Sequence, residues 1–187
     1  MVHFYSATLV HFYSALDNGD TTVEFPTSFT SSYDKYVVEI SELTTKTTDT
    51  GQLSLEFHNS IASWITSSYR WVSNNVNSSK LASVFNVGTF SDSNVMLTSL
   101  PISRDAVVGS TVSGTLKISA FVDPSANNAA KVDFNINYKD LANNGWNSDV
   151  GTGGIWSAHY DVDGFRLKLV SGTAFSGGKV SLYGYAN

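Results

Sequence analysis

The sequence predicts an all-β fold: an antiparallel β-sandwich of jelly-roll type over residues 21–187, preceded by an extended N-terminal arm over residues 1–20. Three observations lead there. Apolar and polar residues alternate through most of the chain, which is the period of a half-buried strand. Turn signals rich in Gly, Asn and Asp separate the alternating runs. The charged fraction is only 14%, against ~25% in an average domain, so Ser, Thr, Asn and Gly supply the polar surface. Ser, Thr and Asn compete for backbone hydrogen bonds inside helices and so favour strands and turns.

The arm comes first. The hexapeptide VHFYSA occupies residues 2–7 and returns unchanged at 10–15. An even offset keeps facing in an extended chain: Val2, Phe4, Val10 and Phe12 fall on one side, His3, Tyr5, His11 and Tyr13 on the other. A helix would rotate the second copy by about 80° relative to the first. The arm is read as an extended docking segment presenting Val2, Phe4, Tyr5, Val10, Phe12 and Tyr13, with a duplication of no structural meaning as the alternative. Two copies are too few for a solenoid. The segment has no basic n-region, and His3, Ser6, Thr8, His11 and Ser14 break its apolar run, so it is not a secretory signal. Synthesis in a cytoplasm without a signal peptide is the expectation. No run approaches 18 apolar residues, which excludes a membrane-spanning helix.

The body follows, with eight to ten strands expected. Tyr36, Val38 and Ile40 share one face. Leu53, Leu55 and Phe57 point inward while Ser54, Glu56 and His58 point outward. Val112, Gly114, Leu116 and Ile118 form another inward set, and Val132, Phe134, Ile136 and Tyr138 oppose Asp133, Asn135, Asn137 and Lys139. Phe165, Leu167 and Leu169 oppose Arg166 and Lys168. Val180 and Leu182 oppose Lys179, Ser181 and Tyr183. Such one-sided alternation marks antiparallel sheets with a solvated face. Turns are expected at Asp17-Asn18-Gly19, Asp49-Thr50-Gly51, Asn143-Asn144-Gly145, Asp163-Gly164, Ser171-Gly172 and Ser176-Gly177-Gly178. Residues 59–66 and 125–131 are each given a helical turn or two. No linker divides residues 21–187.

Composition then removes whole classes of function. A net charge of −5 and the lack of any long Lys/Arg run argue against binding nucleic acid through its phosphates. With no cysteine, there are no disulfides, no thiolate chemistry and no Cys-based zinc site. No G-x-S-x-G elbow or H-E-x-x-H pair occurs, and Gly151-Thr152-Gly153-Gly154 is not a phosphate-binding G-x-G-x-x-G. His58 and His159 are the only histidines of the body. Carboxylate pairs for glycoside hydrolysis are defined by spatial separation and stay open. The expectation is a non-enzyme with no cofactor and no metal.

Binding chemistry rests on aromatics, whose rings give flat apolar area with a polar handle for sugars. Trp146 is the leading candidate because it sits in the turn-like Asn143-Asn144-Gly145-Trp146-Asn147. Trp156, after the flexible run Gly151-Thr152-Gly153-Gly154, is second, and Tyr183 and Tyr185 at the C-terminus complete the set. Trp71 alternates with Tyr69 and is assigned to the core. Asp161-Val162-Asp163-Gly164 resembles a calcium loop, but Phe165-Arg166-Leu167 supplies none of the later ligands, so a hairpin turn is the reading. His3 and His11 lack nearby carboxylates for a metal site. Asn77-Ser78-Ser79 matches the N-glycosylation pattern.

Residues 164–185, GFRLKLVSGTAFSGGKVSLYGY, resemble the C-terminal ending of many bacteriophage virion proteins, in which a strand bearing SG leads through SGG and VSLYG to a last strand. Residues 33–43 (YDKYVVEISEL), 49–57 (DTGQLSLEF) and 68–71 (SYRW) are similar to earlier strands of those proteins, so the resemblance covers most of residues 33–185. It implies a tail fibre, tail tip or other structural protein: a β-sandwich displayed on the particle, often as a trimer, with no catalytic set. The repeated arm lies outside the pattern. The expectation is a non-enzymatic virion structural protein, a tail or head fibre module or receptor-binding knob. Its partners would be other virion proteins, a host surface glycan and further copies of itself, with neither nucleic acid nor membrane. A capsid decoration (cement) protein docking through its arm by β-augmentation is the alternative, and a polysaccharide-binding or -degrading protein the third. A shaft and attachment domain find no room in 187 residues, so the knob is expected to be a small accessory, or the arm to be the attachment device.

Overall fold

The computed structural model describes residues 7–13, 19–33, 35–46, 51–61, 63–78, 83–89, 92–102, 111–119, 130–139, 145–155, 161–170 and 174–185. Thirteen strands occur among them: β1 (Ala7–Tyr13), β2 (Thr22–Phe25), β3 (Lys35–Thr45), β4 (Leu53–Asn59), β5 (Ser63–Trp64), β6 (Tyr69–Asn77), β7 (Ser83–Val87), β8 (Val95–Met96), β9 (Val112–Ser119), β10 (Lys131–Lys139), β11 (Trp146–Ile155), β12 (Val162–Leu169) and β13 (Phe175–Tyr185). All pairings are antiparallel. Eight strands form the larger sheet in the order β1-β13-β3-β9-β10-β11-β6-β7. The smaller sheet runs β2-β12-β4-β5, with β8 also on β4.

The alternating sets place the core between the two sheets. Tyr36, Val38, Ile40, Leu116, Ile118, Val132, Ile136, Val180 and Leu182 line the larger sheet's inner face. Val23, Phe25, Leu53, Leu55, Phe57, Phe165 and Leu167 line the smaller one, and all belong to one buried cluster. Phe165 stacks on Phe25 at 4.9 Å and on Phe29 at 5.8 Å, while Phe29 lies 4.4 Å from Tyr36. Ring pairs of this kind bridge the sheets and add to the burial that drives folding. The expected antiparallel β-sandwich is thus the observed architecture. Its eight- and five-stranded sheets hold more strands than the eight of a simple jelly roll.

Several local expectations are corrected. Ser54, Glu56 and His58 do point away from the core, yet every residue of β4 is buried. The strand is central in its sheet, and long side chains of its neighbours lie across its outer face. Among the described residues of 59–66 there is no helical turn: Asn59 ends β4, Ser60 and Ile61 turn, and Ser63–Trp64 form β5. The Asn59 side-chain oxygen accepts from the Ile61 and Ser63 amides at 3.1 and 3.2 Å, the local bonding by which Asn diverts backbone from helix. Residues 125–129 lie outside the described residues, and Lys131 opens β10.

Two supposed turns are bulges inside strands. Asp163-Gly164 lies within β12, where pairing with β4 shifts register between Val162 and Gly164. A Cβ on Gly164 would sit 2.2 Å from the Phe25 carbonyl. Ser176-Gly177-Gly178 lies within β13, whose pairing with β3 shifts twice there. Gly178 has φ +112° and backs onto the Leu43 Cα, a conformation closed to other residues. The run 151–154 is likewise strand β11 rather than a flexible loop.

The N-terminal repeat enters the sheet. Residues 7–13 are β1, paired antiparallel with β13 from Ala7 opposite Tyr185 to Tyr13 opposite Val180. Val10, Phe12 and Tyr13 therefore lie in a strand, while Val2, Phe4 and Tyr5 lie outside the described residues. A register shift between Leu9 and His11 puts these two opposite the successive residues Tyr183 and Leu182. Val10 is the extra residue, so two-residue alternation is not kept across it.

Candidate functional site

Alternation along β9, β10, β11, β6 and β7 leaves an outer face that mixes short polar side chains with exposed Val and Phe. Across it run rows such as Thr115, Asn135, Val150, Asn74 and Phe85, and Ser113, Asn137, Ser148, Val76 and Ser83, fixed by the register of β9, β10, β11, β6 and β7. Trp146 opens β11 on this face and is 53% exposed. Its amide donates to Ser78 Oγ at 3.0 Å, and its carbonyl accepts from the Ser78 amide at 2.9 Å. On the opposite, buried side the Asn77 side-chain Nδ2 donates to the Asn147 carboxamide oxygen at 2.8 Å. The backbone under the indole is therefore fixed while the side chain stays half exposed.

Tyr183 and Tyr185 are not gathered around it. Tyr183 and Tyr185 lie half-buried on β13, opposite Val37 and Lys35. Four strand spacings separate β13 from β11, roughly 19 Å. Tyr185 borders a separate depression of about 390 Å³ with Lys35, Lys117 and Ser119. Trp156 lies outside the described residues, as do His159 and His3. Trp71 is only partly buried: it packs on the core while its indole N–H donates to Asp92 at 2.8 Å. With Val72, Val87 and Ile155 it walls a groove of about 720 Å³, where Arg70 and Lys131 stand at the margin.

The smaller sheet carries a feature that reading the sequence missed. Glu56 in β4 stands opposite Arg166 in β12, which stands opposite Glu24 in β2. Arg166 donates to Glu56 Oε2 through Nη2 and Nε at 2.6 and 2.8 Å, and to Glu24 Oε1 through Nη1 at 3.3 Å. Lys168 contacts the other Glu56 oxygen. The guanidinium also lies 4.4 Å from the Trp64 ring, a favourable cation–π position. The edge of His58 meets the same indole at 4.8 Å, and His58 Nδ1 is 2.6 Å from Asp163 Oδ1. The signal was present in the sequence: acidic residues on TVEF and LSLEFH, and basic ones on FRLKL, occupy positions that face each other once the strands align.

That cluster is closed rather than reactive. Glu56 is wholly buried and both its oxygens meet cations, so the carboxylate has no open side for a substrate proton. Asp163, half of the calcium-loop reading, is committed to His58. No group of three metal-ligating side chains occurs among the described residues.

A second buried polar network ties down residues 97–102. Asp149 Oδ2 accepts from Tyr138 Oη at 2.8 Å and from the Ser99 amide at 2.7 Å, while Oδ1 accepts from Ser99 Oγ at 2.6 Å. The Leu100 amide donates to the Tyr138 oxygen at 3.1 Å. Burial, reinforced by the adjacent Asp149 charge, pushes the Tyr138 hydroxyl far above the usual tyrosine range. Compared with known proteins, the chain matches no family, no curated protein and no solved structure.

Proposed function

We propose that this chain is a non-enzymatic structural protein of a bacteriophage virion, displayed on the particle as a tail or head fibre module or receptor-binding knob. The observation that carries the reading is Trp146. A large apolar ring, 53% exposed, stands on a backbone locked from both sides, with Asn and Ser nearby and Lys139 directly opposite. A rigid aromatic platform among small hydrogen-bonding side chains suits the face of a sugar ring. The charged groups gathered on the smaller sheet are spent on one another, which favours contact over reaction. The likeness of residues 33–185 to phage virion proteins points the same way and suggests an oligomer.

A second reading is favoured by β1. Among the described residues it pairs only with β13, at the end of the larger sheet. A strand held by one ladder, of repeated sequence, suits a capsid decoration protein that docks by strand addition.

The receptor reading is tested by binding of the purified protein to host cells and to arrayed host-surface glycans. Trp146→Ala should reduce glycan affinity at least tenfold, as expected for loss of a stacking ring worth about 1.4 kcal/mol or more. It should leave thermal unfolding unchanged. No glycan binding by the native chain, or equal binding by the variant, refutes the receptor role.

A further inference from the structure

Among the described residues, nothing pairs with the end of the larger sheet opposite β1. Natural sheets guard such edges with Lys, Pro, bulges or covering loops. Strand β7, Ser-Val-Phe-Asn-Val, has no charged residue and no proline, pairs with β6 in unbroken register, and among the described residues pairs with nothing else. Its apolar side chains are exposed on both faces. Phe85 is 70% and Val87 65% exposed on the outer face; Val84, in register with the buried Asn75, is 53% exposed on the other. A partner laid over the outer face would leave Val84 in water. A strand added beside β7 brings side chains to both faces at once, and gives a second ladder to a strand that has one among the described residues.

We infer that β7 is a self-association edge, pairing antiparallel with β7 of a second copy about a two-fold axis centred on Phe85. This goes beyond the functional reading above and does not depend on it. In that register Phe85 stands opposite Phe85 of the other copy, Val84 opposite Asn86, and Ser83 opposite Val87. The pairing keeps each inner face on the same side, so two eight-stranded sheets continue as one. A second copy fits for an electrostatic reason. A two-fold contact sets a strand against itself, so any charge on it would meet its like. The chain carries a net −5, yet β7 and its outer-face neighbours Val72, Asn74, Val76, Ser148 and Val150 are uncharged. The area involved, on the order of 1,000 Å² in total, lies at the low end of specific interfaces, which implies micromolar association.

Sedimentation of the full chain tests this. At tens of micromolar the native protein should have twice its 20.2 kDa chain mass, and Phe85→Lys should weaken association at least 100-fold. Phe85 is exposed, so the variant should keep the native circular dichroism and melting temperature; Val87→Lys is the companion should it fail to fold. The chain has no native cysteine, which permits a geometric test. Phe85→Cys should form an intermolecular disulfide on mild oxidation, since directly opposed residues lie within bridging distance, and Lys117→Cys on the same face should not. A native monomer at 100 micromolar overturns the inference. So does a trimer, or a dimer that both lysine variants and the cysteine pair fail to perturb or capture.

Discussion

At the scale of single residues, the side chains that matter here are polar ones inside and apolar ones outside. Tyr138 is the clearest of the first kind. Its hydroxyl donates to Asp149 and accepts from the Leu100 amide, and its ionisation is pushed far upward by burial beside that carboxylate. The unfolded chain releases this proton near pH 10 while the folded chain keeps it. Above that pH the unfolded state binds fewer protons, so Tyr138 makes stability fall as pH rises further. Tyr138→Phe should cost about 1–2 kcal/mol at pH 7, because Asp149 and Leu100 each lose a partner. Between pH 10 and 12 its stability should fall less steeply than that of the native chain. Urea unfolding across that range measures both, and parallel curves would show that Tyr138 does not set the alkaline limit. Alternation assigned Tyr138 to the core correctly, but its acceptor came from a strand whose Asp149 was not singled out.

At the scale of elements, alternation revealed most of the strands and misjudged what covers them. The inward sets of β3, β4, β9, β10, β12 and β13 were all readable as a two-residue period. The outward residues of β4 were read as solvated, because period two reports direction and not depth. Depth comes from neighbours: β12 lays Arg166 and Lys168 over Glu56, and β5 lays Trp64 beside them. Glycines misled for a related reason. Gly151 and Gly153 looked like a flexible run, yet they lie in β11, where Phe134 and Trp71 occupy the space a Cβ would need. Gly164 and Gly178 looked like turns because a bulge needs the same residue as a turn. The β4–β12 pair gives a test at this scale. Arg166→Ala should destabilise the fold by about 3 kcal/mol, since it strips one cation from a buried carboxylate. Glu24→Gln, at the exposed margin of the same cluster, should cost less than 1 kcal/mol. Equal losses for the two would mean that Glu56 is not held by Arg166.

For the molecule as a whole, the two sheets divide the work. The smaller one is sealed by charge pairs on its outer face. The larger one presents a broad polar face with Trp146 upon it, bounded by β1 at one end and by the uncharged β7 at the other. The repeat at the N-terminus takes its place in that scheme as the last strand of the larger sheet over residues 7–13. Its even offset was legible in the sequence; the bulge at Val10, which comes from pairing with β13, was not. Quantitative mass spectrometry of purified phage particles, counting copies of this chain against the major capsid protein, bears most directly on the central claim. A few to a dozen or so copies per particle is the predicted result for a tail or fibre component, whereas hundreds would move the chain to the decorated shell. Particles that are infectious and complete but contain none of it would contradict the account.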